Sequence, residues 1–162
     1  MLIRAAEPCD LMVILDLMND AILNSTAIYD YNIRTKAFIE DWFAKKEQDK
    51  LPVLVYEIDH TAVAFATYGS FRPREAYQFS VEHSIYVQQV HQGKGIGKKL
   101  LEALISEAKA GGFHTMIAGI DATNQASCVF HQKNGFVQVG IFKEVGFKFD
   151  RWLDLVFMQF IL

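Results

Sequence analysis

Nothing in the sequence narrows the possible folds as sharply as the run Gln92-Gly93-Lys94-Gly95-Ile96-Gly97-Lys98-Lys99, which joins a strand pattern to a helix pattern. Glycine carries no Cβ, so the backbone N–H groups of such a turn can approach a ligand closely. The first turn of the following helix adds unpaired amides and partial positive charge. Together these favour a phosphate or pyrophosphate cradle. Lys94, Lys98 and Lys99 bring local positive charge to a chain whose formal net charge is −3. Two familiar phosphate loops do not fit. A Walker loop needs Ser or Thr where Lys99 stands and glycine where Gln92 stands; a dinucleotide fingerprint counted from Gly93 needs glycine where Lys98 stands. What remains is Gln-x-x-Gly-x-Gly, read as a phosphate cradle in preference to a glycine-rich turn with a solvated lysine face.

The rest of the chain supplies elements that alternate in type. A length of 162 residues predicts a single domain, 1–162, with a core that needs no disulfide or metal. Leu2 to Ala5 reads as a strand and Pro8 to Leu23 as a helix, with Pro8 in its first turn. A second helix spans Thr35 to Gln48. Pro52–Ile58 and Ala62–Phe71 read as a hairpin, and Phe79 to Val87 as a further strand. After the glycine loop, Ile96, Leu100, Leu101, Leu104, Ile105 and Ala108 recur at the helical period up to Gly111-Gly112. A strand at Thr115–Asp121, a helix at Gln125–Lys133 and two strands, Phe136–Val145 and Trp152–Ile161, complete the chain. This order predicts an α/β class with a mixed, partly parallel sheet flanked by helices.

Composition closes off other classes. With 51% hydrophobic and 22% charged residues the chain is not a disordered one. Cys9 and Cys128 are isolated, with no CxxC, which suits a reducing compartment; no segment reads as a signal peptide or membrane span, so the expected location is the cytoplasm. The acidic balance and lack of a nucleic-acid-binding motif predict neither nucleic acid nor membrane as partner. The five histidines show no metal-ligand spacing, so no metal is expected. Cys128 has no evident activator, and no Gly-x-Ser-x-Gly elbow occurs.

The strand before the loop sorts by parity. Phe79, Val81, His83, Ile85 and Val87 make a mainly apolar side; Ser80, Glu82, Ser84 and Tyr86 make a polar one. A carboxylate in mid-strand, just ahead of a ligand loop, is placed for proton transfer, and partial burial would raise its pKa toward the working pH. On its own, without that context, the same stripe reads as a solvent face.

The block Val81-Glu-His-Ser-Ile-Tyr-Val87 followed by His91-Gln-Gly-Lys-Gly-Ile-Gly97 resembles the phosphinothricin and methionine sulfoximine N-acetyltransferase branch of the GNAT (general N-acetyltransferase) superfamily. Asn124-Gln-Ala-Ser127, the Asn134-Gly135-Phe136 stop and Val145-Gly-Phe-Lys-Phe-Asp-Arg-Trp-Leu-Asp154 carry the same resemblance, which extends from Ile3 to the last strand. It implies the GNAT acyl-CoA N-acyltransferase fold, with acetyl-CoA lying between the strand ending at Val87 and the strand Thr115–Asp121. Ile85, Tyr86 and Val87 would pair with the pantetheine arm, one amide near Val87 polarising the thioester carbonyl. Gly93, Lys94, Gly95, Ile96, Gly97 and Lys98 would hold the pyrophosphate. Asn124 and Ser127 match cofactor-contacting positions, although Asn124 also suits a helix cap. Glu82 matches the general base and His131 the position of the acid that protonates the leaving thiolate. Arg72 and Arg74 match the segment that meets the acceptor, where a guanidinium can fork onto a carboxylate. His83, Ser84 and Tyr29 would complete the acceptor pocket, Tyr29 equally as a packing residue. The resemblance also implies a homodimer.

Three positions depart from the branch: Gly69-Ser70-Phe71-Arg72 replaces a common Gly-Asp-Trp-Arg, and Asp150 replaces a glycine. The expected activity is acetyl-CoA-dependent N-acetylation of a small-molecule amine, the α-amino group of an amino acid or a toxic analogue. Acetylation of a peptide amine or polyamine, and a non-catalytic acyl-CoA sensor, are the competing readings.

Overall fold

In a computed structural model the chain is described over residues 2–162. Seven strands form one sheet in the order β1-β2-β3-β4-β5-β7-β6: β1 Leu2–Ala5, β2 Val53–Ile58, β3 Thr61–Ser70, β4 Ser80–Val87, β5 Thr115–Asp121, β6 Val137–Lys148 and β7 Arg151–Ile161. Helices α1 (Leu11–Asn24) and α2 (Lys36–Gln48) cover one face, while α3 (Ile96–Ala110) and α4 (Gln125–Lys133) cover the other. Strand alternation feeds both layers. Leu54 and Tyr56 of β2 face α3, where Leu100, Leu101 and Leu104 are wholly buried; Val53 and Val55 face Ile14, Ile22 and Ile39 of α1 and α2. Each fully buried leucine contributes about 1.5–3 kcal/mol by leaving water.

The ends of the elements follow local chemistry. Thr35 caps α2, its hydroxyl accepting from the Phe38 amide at 3.2 Å. The β2–β3 hairpin turns through Asp59 and His60, and the β6–β7 hairpin through Phe149 and Asp150, all four with positive φ, as a two-residue primed turn demands. Two boundaries differ from the sequence expectation. The first helix opens with a 3-10 turn over Pro8–Asp10, whose Asp10 side chain takes the Arg4 guanidinium at 2.6 and 3.0 Å. The sixth strand runs on past Val145 to Lys148, whose ammonium is buried under the α1–α2 connection.

One feature of the sheet positions everything that follows. β4 and β5 are the parallel pair, and their register stops at Ser80–Thr115, Val81–Met116 and Glu82–Ile117. Yet β4 continues to Val87 and β5 to Asp121. Past Glu82 the two strands diverge.

Candidate active site

The opening between the diverging strands leads into a cleft of about 550 Å³ that reaches the glycine loop and the start of α4. Its backbone is exposed by arithmetic of the ladder. The Gln88 amide bonds to Val63 of β3, and the Phe79 carbonyl receives the Thr115 amide of β5. Even-numbered residues of β4 therefore bond to β3, and odd-numbered ones point toward β5. With no β5 pairing beyond Glu82, the amides of Ile85 and Val87 face the cleft unpaired. Tyr86 lines the cleft too, but its backbone is paired with Phe65, and its ring stacks on Phe65 at 4.9 Å.

The loop completes this wall. Gly93 (φ 73°) and Gly95 (φ 81°) sit in the left-handed region, and a Cβ at either would meet open space. Gly95 is the N-cap of α3, with no side chain capping it. Among the described residues no acceptor meets the amides from Gly93 through Lys98; the first paired one is Lys99, bonded to the Gly95 carbonyl. These donors and the positive end of α3 fit a pyrophosphate. Lys98 stays beside the loop and pairs loosely with Glu102 at 3.8 Å. Lys94 is exposed and stands outside the cleft wall, while Lys99 turns back onto the Tyr56 ring.

Glu82, the last paired residue of β4, is half-buried. Burial raises its pKa above the ordinary carboxylate range, and the nearby Arg72 guanidinium opposes that rise. Arg72 itself lies over the Phe71 ring at 5.1 Å. Arg74 does not join them: it is exposed at the head of the short Glu75–Tyr77 turn, and its guanidinium makes no hydrogen bond among the described residues.

At the α4 side, Asn124 caps the helix, its side-chain oxygen accepting from the Ser127 amide at 3.0 Å. His131 is buried, with Nδ1 2.7 Å from the Ser127 carbonyl and Nε2 3.2 Å from Nε2 of His83. A carbonyl can only accept, so the His131 proton lies on Nδ1; Nε2 then accepts from the His83 N–H. Burial lowers the pKa of both rings; the His131 charge would lower His83 further, while the hydrogen bond to the Ser127 carbonyl partly opposes the fall at His131. His131 lines the cleft, and in this arrangement both of its ring nitrogens have partners. His83 belongs to the same couple and also lines the cleft, from the face of the sheet opposite to Glu82.

The far wall comes from the α1–α2 connection, which the sequence offered only through Tyr29. Thr26 and Ala27 line the cleft. Thr26 donates to Asp121 at 2.7 Å, and Arg151 donates to the same carboxylate oxygen at 2.6 Å. Burial would raise the Asp121 pKa, but hydrogen bonds from the Thr123 amide, Thr26 and Arg151 outweigh it and hold the group below its usual range. Lys148 donates to the Ser25 and Ile28 carbonyls at 2.8 and 2.6 Å, and Tyr31 bonds to the Phe147 carbonyl. Tyr29 lies against Gly146 and lines a second hollow next to the cleft. Thr26 and Asp121 carried no local sequence signal, and Lys148 only its place in the Val145–Asp154 block; their partners lie 95, 30 and 123 residues away. No group of three or more His, Cys, Asp or Glu among the described residues is placed to hold a metal.

Residues 3–157 match the family model described as the acetyltransferase (GNAT) domain. An L-amino acid N-acyltransferase of Escherichia coli is 43% identical over 160 residues, covering 98% of this chain and 92% of that one. An L-methionine sulfoximine/L-methionine sulfone acetyltransferase of Salmonella typhimurium is 41% identical, covering 98% and 93%. Among solved structures, an acetyltransferase of Salmonella typhimurium with its cofactor acetyl-CoA superposes with a TM-score of 0.98 at 40% identity, covering 100% of this chain and 94% of that one. A splayed parallel strand pair, a bare amide loop and relatives of this identity over nearly the whole length lead to one assignment: the chain belongs to the GNAT acetyltransferase family.

Proposed function

We propose that the protein transfers the acetyl group of acetyl-CoA to the α-amino group of a small amino acid or a toxic analogue of the methionine sulfoximine, methionine sulfone or phosphinothricin type, with Glu82 as general base. The observation that carries this reading is the position of Glu82 at the last β4–β5 pair, where the strands part. There the carboxylate stands at the apex of the opening into which the unpaired Ile85 and Val87 amides and the loop amides also face. Acetyl-CoA supplies an activated acyl carbon on a thiol leaving group.

The chain's own groups do the remainder. The amides of Gly93 to Lys98 hold the pyrophosphate, the β4 edge holds the pantetheine arm, and the Val87 amide polarises the thioester carbonyl. Glu82, ionised but with a raised pKa, takes a proton from the acceptor's ammonium so that its nitrogen can attack. As the C–S bond breaks, the second nitrogen proton leaves and the thiolate is protonated; the proton on Glu82 passes to water. Arg72, close enough to act on the Glu82 charge, forks onto the acceptor's carboxylate. His131 and His83 hold the α4 wall in place.

The same reading takes the protein as a homodimer. Edge strand β6 is exposed along nearly its whole length, with Val137, Val139, Ile141, Phe142, Val145 and Phe147 at 41–66% exposure and Trp152 of β7 at 60%. An apolar edge of that length calls for a covering partner, and a second copy supplies the matching surface.

Release of free thiol from acetyl-CoA, measured against a panel of amino acids, their analogues, polyamines and peptides, tests the proposal. Release with neutral α-amino acids or the analogues is expected. Binding of acetyl-CoA with no release toward any amine would replace it with the sensor reading.

A further inference from the structure

Gly119 stands in the middle of β5, a strand held between β4 and β7. It is exposed, while Ala118 and Ile120 beside it are buried. Glycine in a strand interior sacrifices packing and backbone entropy, so it marks a place where something approaches closely. The backbone does not demand it, because its φ lies outside the left-handed region. Space does. A Cβ at this position would lie 2.9 Å from Glu82 Oε1, 3.5 Å from Leu155 Cδ1 and 3.8 Å from Phe157 Cε1. On the other flank of Glu82, the residue directly opposite in β3 is Gly69. The carboxylate is therefore bordered by glycine on both neighbouring strands, and it leans over Gly119.

We infer that Gly119 is a positioning residue for the acceptor reaction: the side chain it lacks leaves room for the Glu82 carboxylate to lie over β5, beside Leu155 and Phe157, in the place from which it takes the acceptor's proton. This rests on the reading of Glu82 as the base.

The atom that alanine would strike is the free end of a flexible side chain, so Gly119→Ala displaces the Glu82 carboxylate while the sheet keeps its form. Wild type, Gly119→Ala and Gly119→Val are compared by thermal unfolding, calorimetry with acetyl-CoA, and steady-state rates on neutral amino acids. Acetyl-CoA affinity is expected within about twofold of wild type, while kcat/KM for the acceptor falls at least about tenfold with alanine and further with valine. The acid limb of the pH–rate profile also moves, because the base has moved. Glu82→Asp shortens the acid by one methylene, so in that background the loss caused by Gly119→Ala is expected to shrink. A folded Gly119→Ala enzyme with wild-type kcat/KM, or equal losses in both backgrounds, overturns this inference alone. A wild type inert toward every amine overturns the catalytic reading and this inference with it.

Discussion

The donor side of the cleft is built from backbone, whereas the acceptor side is built from side chains carried in from separate stretches of the chain. On the donor side the amides of Gly93 to Lys98 and of Ile85 and Val87 face inward without partners, and the strand–loop–helix that holds them is continuous in sequence. On the proposed acceptor side, Glu82 from β4, Arg72 from the loop after β3 and Gly119 from β5 come together through the sheet, and Thr26 of the α1–α2 connection lines the same cleft as Gly119. A site made of consecutive amides tolerates many side chains and is fixed by where glycine is required. A site made of converging side chains depends on each contact that holds its parts together. Substitutions should separate the two accordingly.

The largest separation comes from Glu82→Gln. The amide keeps the shape of the acid and cannot take a proton, so kcat should fall about 10²–10⁴-fold while acetyl-CoA affinity stays unchanged. The raised pKa fixes two further signs. In wild type, the rate climbs as pH rises through a value above the ordinary carboxylate range; in the variant that limb disappears. Folding stability behaves in the opposite sense. A carboxyl whose folded pKa exceeds its unfolded one releases its proton earlier in the unfolded chain, so wild type loses stability as pH rises across that window. The variant should be the more stable of the two at pH 7 and gain nothing at pH 3, as thermal unfolding at both pH values will show.

Next in size is Lys148→Met, which tests the acceptor wall by removing one of its ties. Loss of the ammonium leaves the Ser25 and Ile28 carbonyls without their donor, at about 2 kcal/mol of stability. Because that connection carries Thr26, the acceptor KM should rise severalfold, with little change in acetyl-CoA affinity. An unchanged KM in denaturant-calibrated, folded protein would show that the connection is held well enough by Thr26, Arg151 and Tyr31.

Gly95→Val strikes the donor side instead. Open space surrounds the new Cβ, but a β-branched residue at φ 81° is strained by roughly 1–2 kcal/mol, which the loop relieves by turning its amides away. Acetyl-CoA affinity should drop about tenfold in calorimetry, with the acceptor KM nearly unaltered.

The same division explains what the residues disclosed beforehand. The glycine loop, the strand parity around Glu82 and the α3 stripe are local patterns, and the structure keeps them within a residue or two. The ties made by Lys148 were not legible: the residue stands in the Val145–Asp154 block, beyond the expected end of the strand, and its partners lie more than a hundred residues upstream. Nor was the contact between His131 and His83, which joins residues 48 apart in the chain. Gly119 gave no signal because an isolated glycine in a strand reads as a weakness until the neighbouring strand is seen to place a carboxylate over it.

The smallest effect lies at the β6–β7 turn, where a departure from the branch pattern meets its physical reason. Asp150, which replaces the glycine usual at that position, has φ 55°, and it is exposed with no side-chain hydrogen bond among the described residues. Replacing it by glycine relieves the left-handed strain but raises the entropy of the unfolded chain. Aspartate tolerates this region better than most residues, so the two terms nearly offset, and a net gain of about 0.5 kcal/mol is expected for Asp150→Gly. Asp150→Ala, which keeps the strain and loses the tolerance, should instead cost about 1 kcal/mol. Urea unfolding of both variants decides the matter, and acetyl-CoA affinity should not register either change. If alanine proves as stable as aspartate, the turn is held in this conformation by contacts beyond its own backbone, and the covering copy proposed for the β6 edge is the surface to search for them.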